Sequence, residues 1–208
     1  MLVEFVLHLD THLAAFIAQY GIWVYALLFA IIFSETGFVV TPFLPGDSLL
    51  FVAGTLAAAG DMNIHLLALL LFIAAFSGNQ LNFQIGRWLG PKVFRDGSQS
   101  RLLKREYLDR TRAFFARHGG KTIVMSRFIP IVRTYAPFVA GLSQMPYPRF
   151  IGYNLVGALS WIGLLLYAGY FFGNLPVVRE NLGAVIIGIV VLSLLPIVVE
   201  HLRPQRTD

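Results

Sequence analysis

Twice in this chain a long apolar stretch is broken by prolines, and both times ionisable side chains stand at the break. The first reads Glu35-Thr36-Gly37-Phe38-Val39-Val40-Thr41-Pro42-Phe43-Leu44-Pro45-Gly46-Asp47. The second reads Arg127-Phe128-Ile129-Pro130-Ile131-Val132-Arg133-Thr134-Tyr135-Ala136-Pro137. Proline withdraws an amide donor and disrupts the helical turn before it. Backbone interrupted in this way survives at membrane depth only inside protein or against a wet cavity. An ionisable residue there costs roughly 2.5–3.5 kcal/mol on insertion scales, so it faces a partner or water. Glu35 and Asp47 in one break, with Arg127 and Arg133 in the other, therefore predict a single polar site assembled from both. Pro42, Pro45, Gly46, Pro130, Pro137 and Gly141 are the expected helix-breaking residues.

The argument requires a membrane, and composition supplies it. Of 208 residues 57% are hydrophobic and 13% charged, with a mean hydropathy of +0.70. A soluble domain carries about 25% charged residues. The expected class is an all-α integral membrane protein, one polytopic domain over 1–208. The chain has no cysteine, which excludes disulfides, thiolate metal sites and a thiol nucleophile. The first twenty residues hold no Lys or Arg, so the basic region of a signal peptide is not expected.

Ten of the sixteen basic residues fall between Arg87 and Lys121. Between membrane spans such a cluster follows the positive-inside rule, which accounts for it without a nucleic-acid partner. Loop 87–121 is expected in the cytoplasm, as is the C-terminus with Arg203 and Arg206, in a multi-pass protein of the inner membrane.

Residues 1–20 carry an amphipathic pattern that fits an interfacial helix or a lead into the first span. His8 and His12 are four residues apart there, but Asp10 points to another face, so no metal site is expected. A first repeat follows over 21–90, a basic loop with an amphipathic helix over 91–119, a second repeat over 120–175, and a final span with a basic tail over 180–208. Ile64–Leu89, Phe150–Phe172 and Leu182–Val199 are each long or apolar enough to read as spans, giving about four membrane-spanning helices besides two re-entrant hairpins. Both breaks hold a Pro-Phe pair (Pro42-Phe43, Pro137-Phe138) with a glycine four residues past the proline (Gly46, Gly141). The repeats run in opposite directions, a plan that secondary transporters use to build a site at the repeat interface.

Arginine presents a charged fork that matches phosphate oxygens and stays protonated when partly buried. Arg127 and Arg133 are thus candidate phosphate ligands, helped by the free amides of interrupted helix ends. Glu35 and Asp47 are candidates for proton coupling or charge pairing, because losing a cationic neighbour raises a carboxylate's proton affinity. The rival is that these charges only staple the hairpins together. Asn79 and Asn154 are candidate cavity-lining residues, Arg149 a membrane anchor, and Trp23, Trp88 and Trp161 interface or packing aromatics. No cofactor or metal is expected.

Glu35 with Pro42-x-x-Pro45-Gly46-Asp47, Arg127-Phe128-x-Pro130-x-x-Arg133-Thr134, and Gly141-x-x-x-Met145-x-x-x-x-Phe150 resemble the DedA family, also described as the SNARE-associated or VTT-domain group. The resemblance runs from about residue 20 to the C-terminus. It implies two inverted re-entrant hairpins, functional charges at Glu35, Asp47, Arg127 and Arg133, and movement of lipid across the bilayer. In bacterial members the lipid is undecaprenyl phosphate and the process depends on the proton-motive force. This chain departs from the family at Gly78-Asn79-x-x-x-Phe83, where many members have Gly-Asp-x-x-x-Tyr. The expected function is a proton-coupled flippase for an anionic phospholipid, most naturally a polyprenyl phosphate, and not an enzyme. Rivals are a less selective scramblase, a small-solute/proton antiporter, and a lipid phosphatase, for which only His118 lies near the arginine motif. A homo-oligomer stays open.

Overall fold

The computed structural model describes residues 20–38, 46–60, 62–95 and 120–173, with isolated positions at 175, 176, 178, 184 and 188. The expected N-terminal helix before Tyr20, Pro42 and Pro45, the loop from Asp96 to Gly119, and nearly all of the last span lie outside the described residues. The described chain forms six helices and no strand: α1 Trp23–Gly37, α2 Gly46–Ala58, α3 Ile64–Arg95, α4 Lys121–Ser126, α5 Pro130–Leu142 and α6 Tyr147–Phe172.

Helix length separates two kinds. The apolar stretch of α3 covers 27 residues and that of α6 covers 26, each with mean hydropathy 1.7. At 1.5 Å per residue both exceed the roughly 30 Å hydrocarbon core. The 13-residue helices α2 and α5 reach only about 20 Å. An all-α membrane protein is what these lengths describe.

Local chemistry sets the boundaries. Gly60 adopts φ +98° and ends the turn after α2, a conformation open to glycine at little cost. Asn63 then caps α3: its Oδ1 accepts from the amides of His65 and Leu66 at 3.0 Å each, as favoured at helix starts. Its own amide donates to the Tyr25 hydroxyl at 2.7 Å. Ile129 is extended (φ −121°, ψ 107°) and Pro130 opens α5, where its missing amide would have had no partner anyway. Gly46 likewise opens α2.

Three expectations about the breaks change. Glu35 stands within α1, which continues to Gly37. Pro137 and Gly141 lie inside α5 rather than ending it. Proline at 137 cannot donate to the Arg133 carbonyl, yet the helix continues through it to Leu142. The Asn82 amide donates to the adjacent Thr134 carbonyl at 2.7 Å. Gly141 serves contact rather than interruption.

The chain divides into two compact units. One takes the described parts of 28–44 and 70–161. In it α5 crosses α3 backbone to backbone: a Cβ on Gly141 would strike the Phe83 carbonyl oxygen, and one on Gly86 the Phe138 carbonyl oxygen. Around this crossing Phe83 stacks on Phe150, ring centroids 4.1 Å apart, with Ile123, Ala136, Ala140 and Met145 completing the cluster. The other unit takes the described parts of 1–27, 45–69 and 162–208. There α2 crosses the end of α6 in the same manner, with Gly54 against the Leu166 carbonyl and Gly169 against that of Phe51. The Thr55 hydroxyl lies 3.3 Å from the Gly169 carbonyl. The spacings match: Phe51-x-x-Gly54 meets Leu166-x-x-Gly169, and Phe138-x-x-Gly141 meets Phe83-x-x-Gly86.

Candidate functional site

The first unit buries a row of polar side chains. On α3, Ala75, Asn79 and Asn82 follow at intervals that keep one helical face together. On α6, Asn154, Gly157 and Trp161 do the same over two turns. α1 contributes Glu35, the turn after α4 contributes Arg127, and the first turn of α5 contributes Arg133. Glu35 and Asn154 are wholly buried, and Arg127 and Asn79 are only 2% exposed.

The two arginines are held differently. Arg133 Nη2 forms a buried salt bridge with Glu35 Oε1. Arg127 Nη2 donates to Asn154 Oδ1 at 2.6 Å and, more weakly, to the Ala75 carbonyl at 3.4 Å. Among the described residues Arg127 has no carboxylate partner, and its Nε has no acceptor. Asn154 is itself fixed: its Oδ1 also accepts from Asn79 Nδ2 at 3.1 Å, and its Nδ2 donates to the Phe76 carbonyl at 3.1 Å. Asn82 ties α3 to α1 and α5 through the Thr36 carbonyl at 3.1 Å and the Thr134 carbonyl at 2.7 Å.

Both guanidiniums lie by the Trp161 ring, Cζ 4.9 Å from its centroid for Arg133 and 6.0 Å for Arg127. A cation–π contact contributes about 0.5–2 kcal/mol, whereas burying an ion costs several kcal/mol. The indole, the Asn154 amide oxygen and the Ala75 carbonyl are the neutral groups that compensate Arg127's burial. The arrangement is suited to binding, since a forked donor pair in dry surroundings recognises phosphate or carboxylate oxygens. Among the described residues no three His, Cys, Asp or Glu cluster as a metal site would need.

Of the residues singled out from sequence, Glu35, Arg127, Arg133, Asn79 and Asn154 come together here. Asp47 stands in the first turn of α2, in the other unit, where a carboxylate is favoured by the amides of the helix start. Trp23 and Trp88 are 68% and 62% exposed, in keeping with interface aromatics, but Trp161 is 1% exposed and is the platform of the arginines. Asn82, wholly buried, and Gly157 belong to the site as well. A Cβ at 157 would lie 2.9 Å from Arg127 Cδ, so the glycine leaves room for the arginine side chain. The available signal was spacing: Trp161 is two turns past Asn154, and Asn82 one turn past Asn79.

The profile of the VTT domain matches residues 44–171. Over 207 residues the chain is 55% identical to Protein DedA of Escherichia coli (strain K12), covering 99% of this chain and 94% of that protein. It is 43% identical over 178 residues to Uncharacterized membrane protein ML0287 of Mycobacterium leprae (strain TN), covering 86% and 79%. It is 39% identical over 153 residues to Inner membrane protein YqjA of Escherichia coli (strain K12), covering 74% and 69%. No solved structure matches the chain.

Proposed function

The chain belongs to the DedA family of VTT-domain membrane proteins, and on that premise we propose that it carries an anionic phospholipid across the cytoplasmic membrane. Undecaprenyl phosphate is the substrate proposed, with protons as the coupling ion and transport rather than catalysis as the activity. The observation that carries this is Arg127: a buried guanidinium held by neutral oxygens alone among the described residues, beside an arginine that already has its carboxylate. A stapling role accounts for Glu35 and Arg133 but leaves Arg127 without a reason to be charged.

In this scheme the lipid phosphate engages Arg127 first and then competes with Glu35 for Arg133. A carboxylate displaced from its cation into apolar surroundings favours its protonated form, which links lipid binding to proton uptake. Asp47 is assigned a coupling role on its place at the first break. Two short helices, each 13 residues long and each crossing a long helix through the same Phe-x-x-Gly spacing, support a pair of re-entrant hairpins from an inverted repeat. We place the basic loop and C-terminus in the cytoplasm on the charge bias.

The test is a leaflet-accessibility assay in proteoliposomes of defined lipid carrying a polyprenyl phosphate, with and without an imposed pH gradient. Wild type should deplete one leaflet of the phosphate, faster with the gradient, and folded Arg133→Ala should not. Equal movement by both proteins sinks the proposal; indifference to the gradient removes the protons from it.

A further inference from the structure

Building on that transport proposal, we infer that Asn154 is a positioning residue: it holds Arg127 for an incoming phosphate without neutralising it, and so sets the charge offered to the ligand. The Asn154 amide is locked at both ends. Its Nδ2 is tied to the Phe76 carbonyl at 3.1 Å, which turns Oδ1 toward Arg127 Nη2 at 2.6 Å. Asn79 Nδ2 donates to that same oxygen at 3.1 Å. The absence of a Cβ at Gly157, which would sit 3.0 Å from Arg127 Nε, leaves the guanidinium room beside this amide. Arg127 Nε retains a donor with no acceptor among the described residues.

An amide oxygen orients a guanidinium as a carboxylate would, but it carries only a partial charge. The contrast is present within the site, since Glu35 holds Arg133 with a full one. Aspartate has nearly the shape of asparagine. A carboxylate at 154 would keep Arg127 in place while occupying its charge, so phosphate would meet a neutral pair. Asn79 supports the same arrangement from one amide farther away.

The experiment uses the full-length protein in nanodiscs with Trp23→Phe and Trp88→Phe. The chain has three tryptophans, so Trp161, the indole beside both guanidiniums, becomes the sole reporter. Its emission is titrated with farnesyl phosphate, inorganic phosphate and farnesol, which separate the lipid-borne headgroup, the free anion and the tail. The parent should respond to farnesyl phosphate and not to farnesol. In whichever phosphate arm the parent binds, Asn154→Asp should weaken affinity at least tenfold, and adding Glu35→Gln should restore most of it by returning the charge count to that of the parent. A merely structural asparagine would show no such rescue.

Unchanged affinity in Asn154→Asp, or a loss that Glu35→Gln does not relieve, overturns the assignment. Should Asn154→Asp not fold, Asn154→Ala decides: several-fold weakening of phosphate affinity in the folded protein supports the positioning role and an unchanged titration overturns it. A parent that binds neither phosphate defeats the transport proposal and this inference together. Failure confined to the substituted proteins defeats only the inference.

Discussion

At the scale of single residues, Glu35 and Arg133 show why a buried ion pair resists piecemeal change. Removing one partner strands the other charge in apolar surroundings, at a cost of about 3–5 kcal/mol, whereas replacing both by apolar groups costs far less. Glu35→Ala is therefore expected to destabilise the protein by about that amount, and Glu35→Leu with Arg133→Leu by less than the single change, read as melting temperature in detergent. A double substitution as harmful as the single would show that the pair is not an isolated unit. The importance of these charges was legible in the amino-acid order because a charge in an apolar stretch is anomalous wherever it ends up. Trp161 was not legible, since an aromatic residue in a membrane helix is ordinary until a guanidinium is found beside it.

Among elements, the two glycine crossings carry the packing. Gly54 and Gly141 face backbone carbonyls of α6 and α3 so closely that a methyl group cannot fit, and backbone yields less readily than a flexible side chain. Gly54→Ala and Gly141→Ala should each destabilise by about 1–3 kcal/mol, the usual range for overpacking. Gly163 on α6 has nothing within 4 Å of its absent Cβ. Gly163→Ala should be neutral or stabilising by about 0.5–1 kcal/mol, since alanine is the better helix former. Thermal unfolding of the three variants against wild type separates the two cases. Equal behaviour would mean that the close approach does not bear on stability. From sequence Gly141 reads as a breaker, because intrinsic propensity is the only property of a glycine visible along the chain. The crossing that requires it is formed by Phe83 and Arg87, more than fifty positions away.

For the whole molecule the central prediction is sidedness. The chain has no cysteine, so single-cysteine reporters carry no background. Lys121 is exposed at the start of α4, and Leu175, just after α6, is 48% exposed. A membrane-impermeant maleimide added to intact spheroplasts should label Leu175→Cys and spare Lys121→Cys until the membrane is opened. The reverse pattern would invert the topology that the basic loop implies.

Amino-acid order alone determined the membrane class, the starts of α3 and α6 to within three residues, and which charges are costly. Hydropathy, proline chemistry and capping are local, so they can be read in sequence before any contact forms. Tertiary structure alone decided that Glu35 neutralises Arg133 while an amide and an indole hold Arg127. Those partners come from three separate helices and a turn, and their pairing depends on how closely helix backbones approach.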